Sequence, residues 1–354
     1  MTSDLDSACA ELETAIADRD IDAFGQAMGL LWNAGQQAPA EELTAILPRC
    51  ADILGTLHIG MGSQLALMCG AFAERGADPA PLVTPVAEGL REAMRRARLL
   101  RKAWRAMGDP SPLPGEETTV EEYDAIVTAL AASVGEEEAR ALAEGWDTLN
   151  LWQMPATSLL QLDRSVRAAF PHRAEILEGC LELVDDQPSL SWLQGLLTVL
   201  DNEPLLVLHR PSGRGYEVTI AGLGDNFQLH SLLAAALDGP VEEGLLGDLG
   251  LDPHWAAVAT DAPPEDFGGT AEGRFNPADA TGAWIWNEGR PADIPLFEDR
   301  RVVVLDPPSY PRSWNNDRQY PMMTGSLTLD RVLPEAEAAA WLAKVGPAQD
   351  VPAV

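Results

Sequence analysis

Hydrophobic residues in the first part of the chain recur with the period of an amphipathic helix. In IDAFGQAMGLLWNAGQQ, residues 21–37, apolar side chains stand at i, i+4, i+7 and i+8. Similar segments follow with short turns between them, and no signature recurs at a fixed period. We therefore predict that residues 1–202 form an all-α domain, either a helical bundle or an irregular stack of helical hairpins. Residues 108–119 are predicted to be an acidic, proline-rich linker between helices, and Pro48 is expected to break the helix that begins near Pro39.

The pattern changes near residue 203, where strand-like apolar runs replace the helical period. PLLVLH and YEVTIAGL flank the turn-forming RPSGRG and predict a β-hairpin. NFQLHSLLAAAL and PEAEAAAWLAKV predict helices, and further strands are predicted at AAVAT, AWIWN, RVVVLD and GSLTLDRV. Residues 203–354 are therefore expected to form a mixed α/β domain with a hairpin-containing sheet, so that the fold class is α+β with two domains.

Positive charge is concentrated in one segment of a very acidic chain. The sequence has 55 acidic and 24 basic residues and a formal net charge of −31, yet REAMRRARLLRKAWR, residues 91–105, holds seven of the basic residues and one acid. On a helical wheel five of the seven fall in a sector about 80° wide, and the apolar positions occupy another face. We call these five the basic stripe: Arg91, Arg95, Arg98, Lys102 and Arg105.

Three interpretations of the basic stripe stay open. Acidic helices of the same chain can pair with it. It can instead dock an acidic protein partner or a second copy of this chain. The third interpretation, binding to nucleic acid or anionic lipid, is disfavoured because the negative net charge opposes their approach. Among external partners, a protein is therefore favoured over nucleic acid and membrane.

The terminal segment, the most apolar stretch and the cysteines together predict a soluble cytoplasmic protein. The acidic, amphipathic MTSDLDSACAELETAI differs from a secretory signal, and LGTLHIGMGSQLALMCGAF is interrupted by glycines and polar residues, unlike a membrane span. The four cysteines are far apart in the sequence and are expected to be free buried thiols: Cys9, Cys50, Cys69 and Cys180.

Side chains that could carry chemistry lie mainly in the second half of the chain. The five histidines have no metal-ligand spacing, so no metal site is predicted. His230 lies at the edge of the apolar face of its predicted helix, where a structural histidine is favoured over a general base. Asp225 and Gln228 have the spacing of an N-cap and N3 pair, which favours a structural role. If the domain is an enzyme, the catalytic candidates are Asp306, Asp225, His230 and His209.

The stretch VVVLDPPS, residues 302–309, is an apolar strand that ends in Asp306 and continues into two prolines. It resembles the strand–Asp-Pro-Pro motif of class I S-adenosylmethionine-dependent methyltransferases. The resemblance implies that Asp306 to Ser309 contact the group to be methylated, that GLGDN at residues 222–226 is the cofactor loop, and that S-adenosylmethionine is the cofactor. Apart from this resemblance no cofactor is predicted. The segment Gly222-Leu223-Gly224 departs from the family's acid–G-x-G-x-G pattern.

The segment after this strand is rich in aromatic, guanidinium and amide side chains. Such side chains are enriched at protein interfaces, and neighbouring prolines favour their rigid presentation. The candidate contact residues are Tyr310, Arg312, Trp314, Asn315, Asn316 and Arg318. Trp284 and Trp286 alternate along a predicted strand and are expected to share one face of it.

The leading hypothesis is an accessory protein that docks one or two protein partners through the basic stripe and this loop. The first alternative is a divergent methyltransferase-like enzyme in the C-terminal domain. The second is an acidic immunity or inhibitor protein that neutralises a basic partner through its surface charge.

Overall fold

The computed structural model describes residues 4–108, 112–115 and 119–349. The chain divides into two compact units, Met1–Leu197 and Thr198–Val354, whereas the sequence pattern places the boundary at about residue 202. The first unit is a stack of helices and the second combines a mixed sheet with helices. The predicted α+β two-domain fold class is confirmed.

Helices make up the first unit as the hydrophobic period predicts. Their bounds are α1 Asp4–Asp18, α2 Ile21–Gln37, α3 Ala40–Leu54, α4 Ile59–Glu74, α5 Val83–Ala106, α6 Val120–Val134, α7 Glu136–Leu162, α8 Arg164–Ala169, α9 Arg173–Leu183 and α10 Leu190–Thr198. The linker predicted at 108–119 lies partly outside the described residues, and within it the carbonyl of Pro114 accepts a hydrogen bond from Trp146 Nε1 at 3.1 Å.

The expected break at Pro48 is wrong, because α3 continues through this residue. Proline inside a helix removes one backbone hydrogen bond and costs about 3 kcal/mol. In α3 the apolar residues on both sides of Pro48, including Leu47 and Cys50, are fully buried. Burial of this face offsets the lost hydrogen bond, so tertiary packing overrides the local preference.

Close packing of α4, α5 and α7 depends on glycine. Trp152 of α7 is buried, and its Nε1 donates to the carbonyl of Ile59 at 3.0 Å. A Cβ atom on Gly89 of α5 would lie 2.3 Å from the Trp152 ring. The indole therefore occupies space that any larger residue at position 89 would need.

The second unit is built on one mixed sheet. Its strands are β1 Asp201–His209, β2 Arg214–Ala221, β3 Thr270–Glu272, β4 Asn276–Ala278, β5 Leu296–Phe297, β6 Arg300–Asp306, β7 Ser313–Asn315 and β8 Ser326–Val332; its helices are α11 Asn226–Leu237, α12 Pro253–Thr260 and α13 Glu335–Leu342.

The predicted hairpin is the antiparallel pair β1–β2 at the centre of the sheet. The strand order is β4-β6-β1-β2-β8, with β6 parallel to β1 and β5 added at β6, while β3 and β7 form a separate pair. One face of the sheet packs Leu205 and Val207 against α11, and the opposite face packs Leu206 and Leu208 against α13. Apolar side chains thus alternate between two cores, as expected for a sheet covered on both faces.

Two predicted strands are corrected by the structure. AAVAT lies in α12, which starts after the N-cap Asp252, whose side chain accepts from the backbone N–H of His254 at 2.9 Å. AWIWN forms only an isolated bridge between Ala278 and Trp284. The carbonyl of Asn287 in this segment instead accepts from the first two backbone N–H groups of α11. It therefore caps the N-terminus of this helix and does not take part in strand pairing.

The cysteines are free and buried, as predicted. Cys9 of α1 and Cys50 of α3, distant in the sequence, have their Sγ atoms 3.9 Å apart. No helix in the described ranges is both long enough and apolar enough to cross a lipid bilayer.

Candidate functional site

The basic stripe faces α9, whose acidic residues form a complementary row. Arg98 lies 2.5 Å from Glu182 and 3.5 Å from Glu178 of this helix, and Arg91 lies 4.0 Å from Glu175. Just after α9, Asp186 lies 3.6 Å from Arg105 and 2.6 Å from Arg101, a cation beside the stripe. The same hydrogen bonds with Arg98 lower the pKa of the Glu182 carboxyl. Intrachain salt bridges therefore neutralise much of the basic stripe, as in the first of the three interpretations.

Arg91 and Arg95 of the stripe also pair with acids of their own helix. Arg91 contacts Glu88 at 2.8 Å, and Arg95 contacts Glu92 at 2.8 Å. The hydrogen bond from Arg95, together with one from Arg96, lowers the pKa of Glu92 to about 2. Arg91 and Arg95 thus remain partly exposed, and each has an acidic partner.

An open groove of about 690 Å³ runs along the C-terminal half of α5. We call it the basic groove; it is lined by Arg95, Arg98, Leu99, Arg101, Lys102, Arg105 and Glu182. Lys102 is exposed, and no acidic group in the described part of the chain lies within 4.0 Å of its Nζ. Leu99 is 38% exposed beside it. Three of the groove's cations are held in close salt bridges, so Lys102, Arg105 and the apolar side chain of Leu99 are the groups it presents to solvent.

Only part of the predicted contact loop is accessible. Tyr310 and Asn315 are exposed, and Arg312 and Trp314 are half-buried. Asn316 and Arg318 are buried, so the expectation that the loop presents them to a partner is corrected.

Arg318 is buried because it serves the end of α12. Its guanidinium donates to the carbonyls of Val258, Ala262 and Pro321 at 2.5, 3.0 and 2.7 Å. Carbonyl groups at a helix C-terminus have no intrahelical donor, and a cation there is favourable. Arg318 therefore fastens the loop to the domain.

His230 lies in an aromatic cluster behind this loop. Its ring is 5.1 Å from that of Trp314 and 5.6 Å from that of Phe275, and its Nε2 accepts from the backbone N–H of Arg274 at 2.9 Å. Burial, with the positive charges of Arg312 and Arg274, lowers the pKa of His230 to about 3. The imidazole is therefore neutral near pH 7, and its acceptor nitrogen is occupied by the backbone.

Asp306 and His209 lie at the same edge of the sheet. Asp306 Oδ1 accepts from Arg210 Nε at 2.8 Å, while its Oδ2 is buried without a partner in the described structure. His209 Nδ1 is 2.8 Å from Ser212 Oγ, and burial lowers the pKa of this imidazole. The salt bridge between Arg210, which follows β1, and Asp306 therefore joins the C-terminal ends of β1 and β6.

Asp225 caps α11, as the spacing predicts. Its Oδ1 accepts from the backbone N–H of Gln228 at 2.8 Å. The side-chain oxygen of Gln228 accepts from the backbone N–H of Gly224. In a capping box it would accept from the backbone N–H of the N-cap residue itself, Asp225. Burial raises the pKa of Asp225 to about 6, and the negative charges of Asp317 and Glu288 act in the same direction.

The two segments that the methyltransferase resemblance joins lie at opposite edges of the sheet. Ala221, next to Gly222, pairs with Asp201 at the start of β1, whereas Leu305, next to Asp306, pairs with His209 at its end. From Asp201 to His209 the strand β1 rises about 3.3 Å per residue, so the two edges are roughly 25 Å apart. The expected cofactor loop and the expected substrate-contacting residues therefore do not form one site.

A pocket of about 380 Å³ between α11 and the segment after β4 was not predicted as a site. We call it the tryptophan pocket; the residues that characterise it are Asn226, Asp279, Trp284, Trp286, Gly289 and Asp293. The sequence signal was the spacing of the two tryptophans, whose rings do lie together, with centroids 4.7 Å apart. They do so in an irregular segment rather than along a strand.

Searches of protein-family models, of curated proteins and of solved structures give no match to this chain.

Proposed function

We propose that this protein is an accessory protein that docks an acidic segment of a protein partner in the basic groove. The observation that carries the proposal is the exposed end of the groove, where Lys102 has no acidic group within 4.0 Å in the described part of the chain and Arg105 lies 3.6 Å from Asp186, on a chain of net charge −31. We further propose a cytoplasmic location, supported by four buried cysteines that form no disulfide.

The occupant is acidic by charge complementarity. Lys102 is exposed, Arg105 is only loosely paired with Asp186 at 3.6 Å, and both can bind an external carboxylate without breaking the core of the helix stack. Leu99, about one turn before Lys102 on α5, provides an apolar contact. Charges of this kind orient a partner and raise its association rate, and salt weakens their effect. Tyr310 and Asn315 of the second unit remain exposed candidates for a separate contact.

The test uses a fluorescent synthetic peptide of glutamates and leucines at helical spacing, with glutamine and lysine versions for comparison. Fluorescence anisotropy should show the acidic peptide binding to the full chain and weakening with salt. Changing Lys102→Glu and Arg105→Gln together should reduce its affinity roughly tenfold, which corresponds to about 1.4 kcal/mol.

A matched control makes the same charge changes elsewhere in the first unit. Arg140 is about as exposed as Arg105 and also has one acidic partner, Glu136, and Arg164 is exposed. Arg140→Gln with Arg164→Glu should leave the affinity unchanged. Equal weakening by both pairs of substitutions, or equal binding of the acidic and glutamine peptides, would contradict the proposal. Self-association abolished by Lys102→Glu would instead identify a second copy of this chain as the occupant.

A further inference from the structure

We infer that the tryptophan pocket binds an organic cation, an ammonium or guanidinium group, through one buried amide oxygen, two carboxylates and the face of Trp286. The pocket belongs to the second unit and the basic groove to the first, so this inference and the proposed function can fail separately.

The floor of the pocket holds an unused acceptor. Asn226 is 4% exposed, and its Nδ2 donates to the carbonyl of Trp286 at 2.8 Å. This bond fixes the orientation of the amide, because the opposite orientation would place Oδ1 against a carbonyl oxygen. Asn226 Oδ1 is therefore an acceptor, and it is buried with no donor in the described structure. Buried acceptors normally have a donor, and an N–H or O–H group of a ligand would supply it.

The wall of the pocket is aromatic. Trp284 and Trp286 lie with their ring planes 36° apart, and Trp286 is 55% exposed. The guanidinium of Arg312 already lies 5.5 Å from the ring centroid of Trp284. The face of Trp286 is the accessible one, and an indole face attracts a cation more strongly than other aromatic rings.

Negative charge completes the site. Asp279 is buried, and its Oδ1 accepts from the backbone N–H and the hydroxyl of Thr281 and from the backbone N–H of Ala283, so the carboxylate is held in place. Asp293 is more exposed, and its Oδ2 accepts from the backbone N–H of Arg290 at 2.9 Å and from the guanidinium Nε of the same residue at 3.2 Å, so its charge is shared with Arg290. A ligand that carries donors and positive charge matches the Asp279 carboxylate and the free amide oxygen of Asn226.

The test compares choline with 3,3-dimethylbutan-1-ol, its uncharged isostere, on the full chain labelled with ¹⁵N in its tryptophans. The chain has 10 tryptophans, and the indole N–H signals of residues 284 and 286 are assigned from Phe substitutions. Choline should shift these two signals in a saturable way, and the neutral isostere should not. Agmatine, tested in parallel, distinguishes a preference for guanidinium from one for ammonium.

Trp286→Ala should weaken choline binding about tenfold, because it removes the accessible face while leaving the buried residues in place. Trp192→Ala is the matched control, since Trp192 is 49% exposed in the first unit, and it should leave the affinity unchanged. Asp293→Asn should also weaken binding, and dispersion of the other indole signals reports that each variant is folded. Equal shifts with choline and its isostere, no saturable shift with either cation, or full affinity in Trp286→Ala would overturn the inference.

Discussion

Arg98 of α5 binds both carboxylate oxygens of Glu182 of α9, with Nε 2.7 Å from one oxygen and Nη2 2.5 Å from the other. Two parallel N–H···O bonds of this kind match the fork of a guanidinium to a carboxylate. The two residues are 84 positions apart in the sequence. The basic stripe therefore has a structural role, in joining two helices, that is separate from the docking role we propose for its exposed end.

The Arg98–Glu182 pair should contribute a measurable but small coupling. We expect a double-mutant cycle with Arg98→Gln and Glu182→Gln to give about 0.5–1 kcal/mol in the free energy of unfolding, because both side chains are partly exposed. The coupling should shrink at high salt. Lys102→Gln is the control and should change stability by less than about 0.5 kcal/mol. A loss from Lys102→Gln as large as that from Arg98→Gln would show that Lys102 has a structural partner.

Substitution of Gly89 by alanine should destabilise the first unit by about 1–3 kcal/mol. The new Cβ would meet the ring of the buried Trp152 at 2.3 Å. Gly25 in α2 provides the matched control, because a Cβ there has nothing within 4 Å. Gly25→Ala should stabilise the helix by about 0.5–1 kcal/mol. Urea denaturation followed by circular dichroism measures both, and a gain in stability from Gly89→Ala would show that α5 and α7 do not approach as closely as described.

Asp225 should make stability fall as pH rises from about 4 to 6. Its pKa in the folded protein is about 6, above the ordinary aspartate value of 3.8, so the folded state retains a proton that the unfolded state has lost in this window. Unfolding then releases a proton, and the free energy of unfolding decreases with increasing pH, by up to about 3 kcal/mol in total.

Asp225→Asn separates this effect from the titration of the other carboxyls. Asparagine is as good an N-cap as aspartate, so the helix start is preserved. The difference in unfolding free energy between variant and parent should grow in favour of the variant from pH 4 to 7. A constant difference across this range would place the pKa of Asp225 near its ordinary value.

Removal of Arg210 should cost more stability than removal of Asp306. Asp306 is buried and its Oδ2 has no partner among the described residues, so Arg210→Ala would leave an unpaired carboxylate in the protein, at a cost of about 2–3 kcal/mol. Arg210 is more exposed and also donates to the carbonyl of Gly346 at 2.9 Å, so it can be solvated when Asp306→Ala removes its partner, and we expect about 1 kcal/mol.

The double variant Arg210→Ala with Asp306→Ala should recover part of the loss caused by Arg210→Ala alone. Equilibrium unfolding of the three variants tests this order. If Asp306→Ala proves the more damaging single change, the carboxylate has a role beyond the pair with Arg210.

Periodicity alone determined the helices of the first unit, the hairpin β1–β2, the strand β6 and the amphipathic division of α5. A helix face is set by residues three or four positions apart, and a strand face by residues two positions apart. Both kinds of information are local in the chain. The N-cap role of Asp225 is of the same kind, since Gln228 lies only three residues away.

Only the tertiary structure decided which distant groups meet. AAVAT is apolar enough for a strand or a helix, and the cap at Asp252 together with packing against α11 selected the helix. Arg318 lies in a segment whose composition is typical of an interface. Its guanidinium is nevertheless buried, because it donates to a carbonyl group in the last turn of α12. Likewise Glu182 became the partner of Arg98, and Gly222 and Asp306 came to opposite edges of one sheet. Pairings across the fold depend on strand order and helix packing, and no pattern within a short window of residues specifies them.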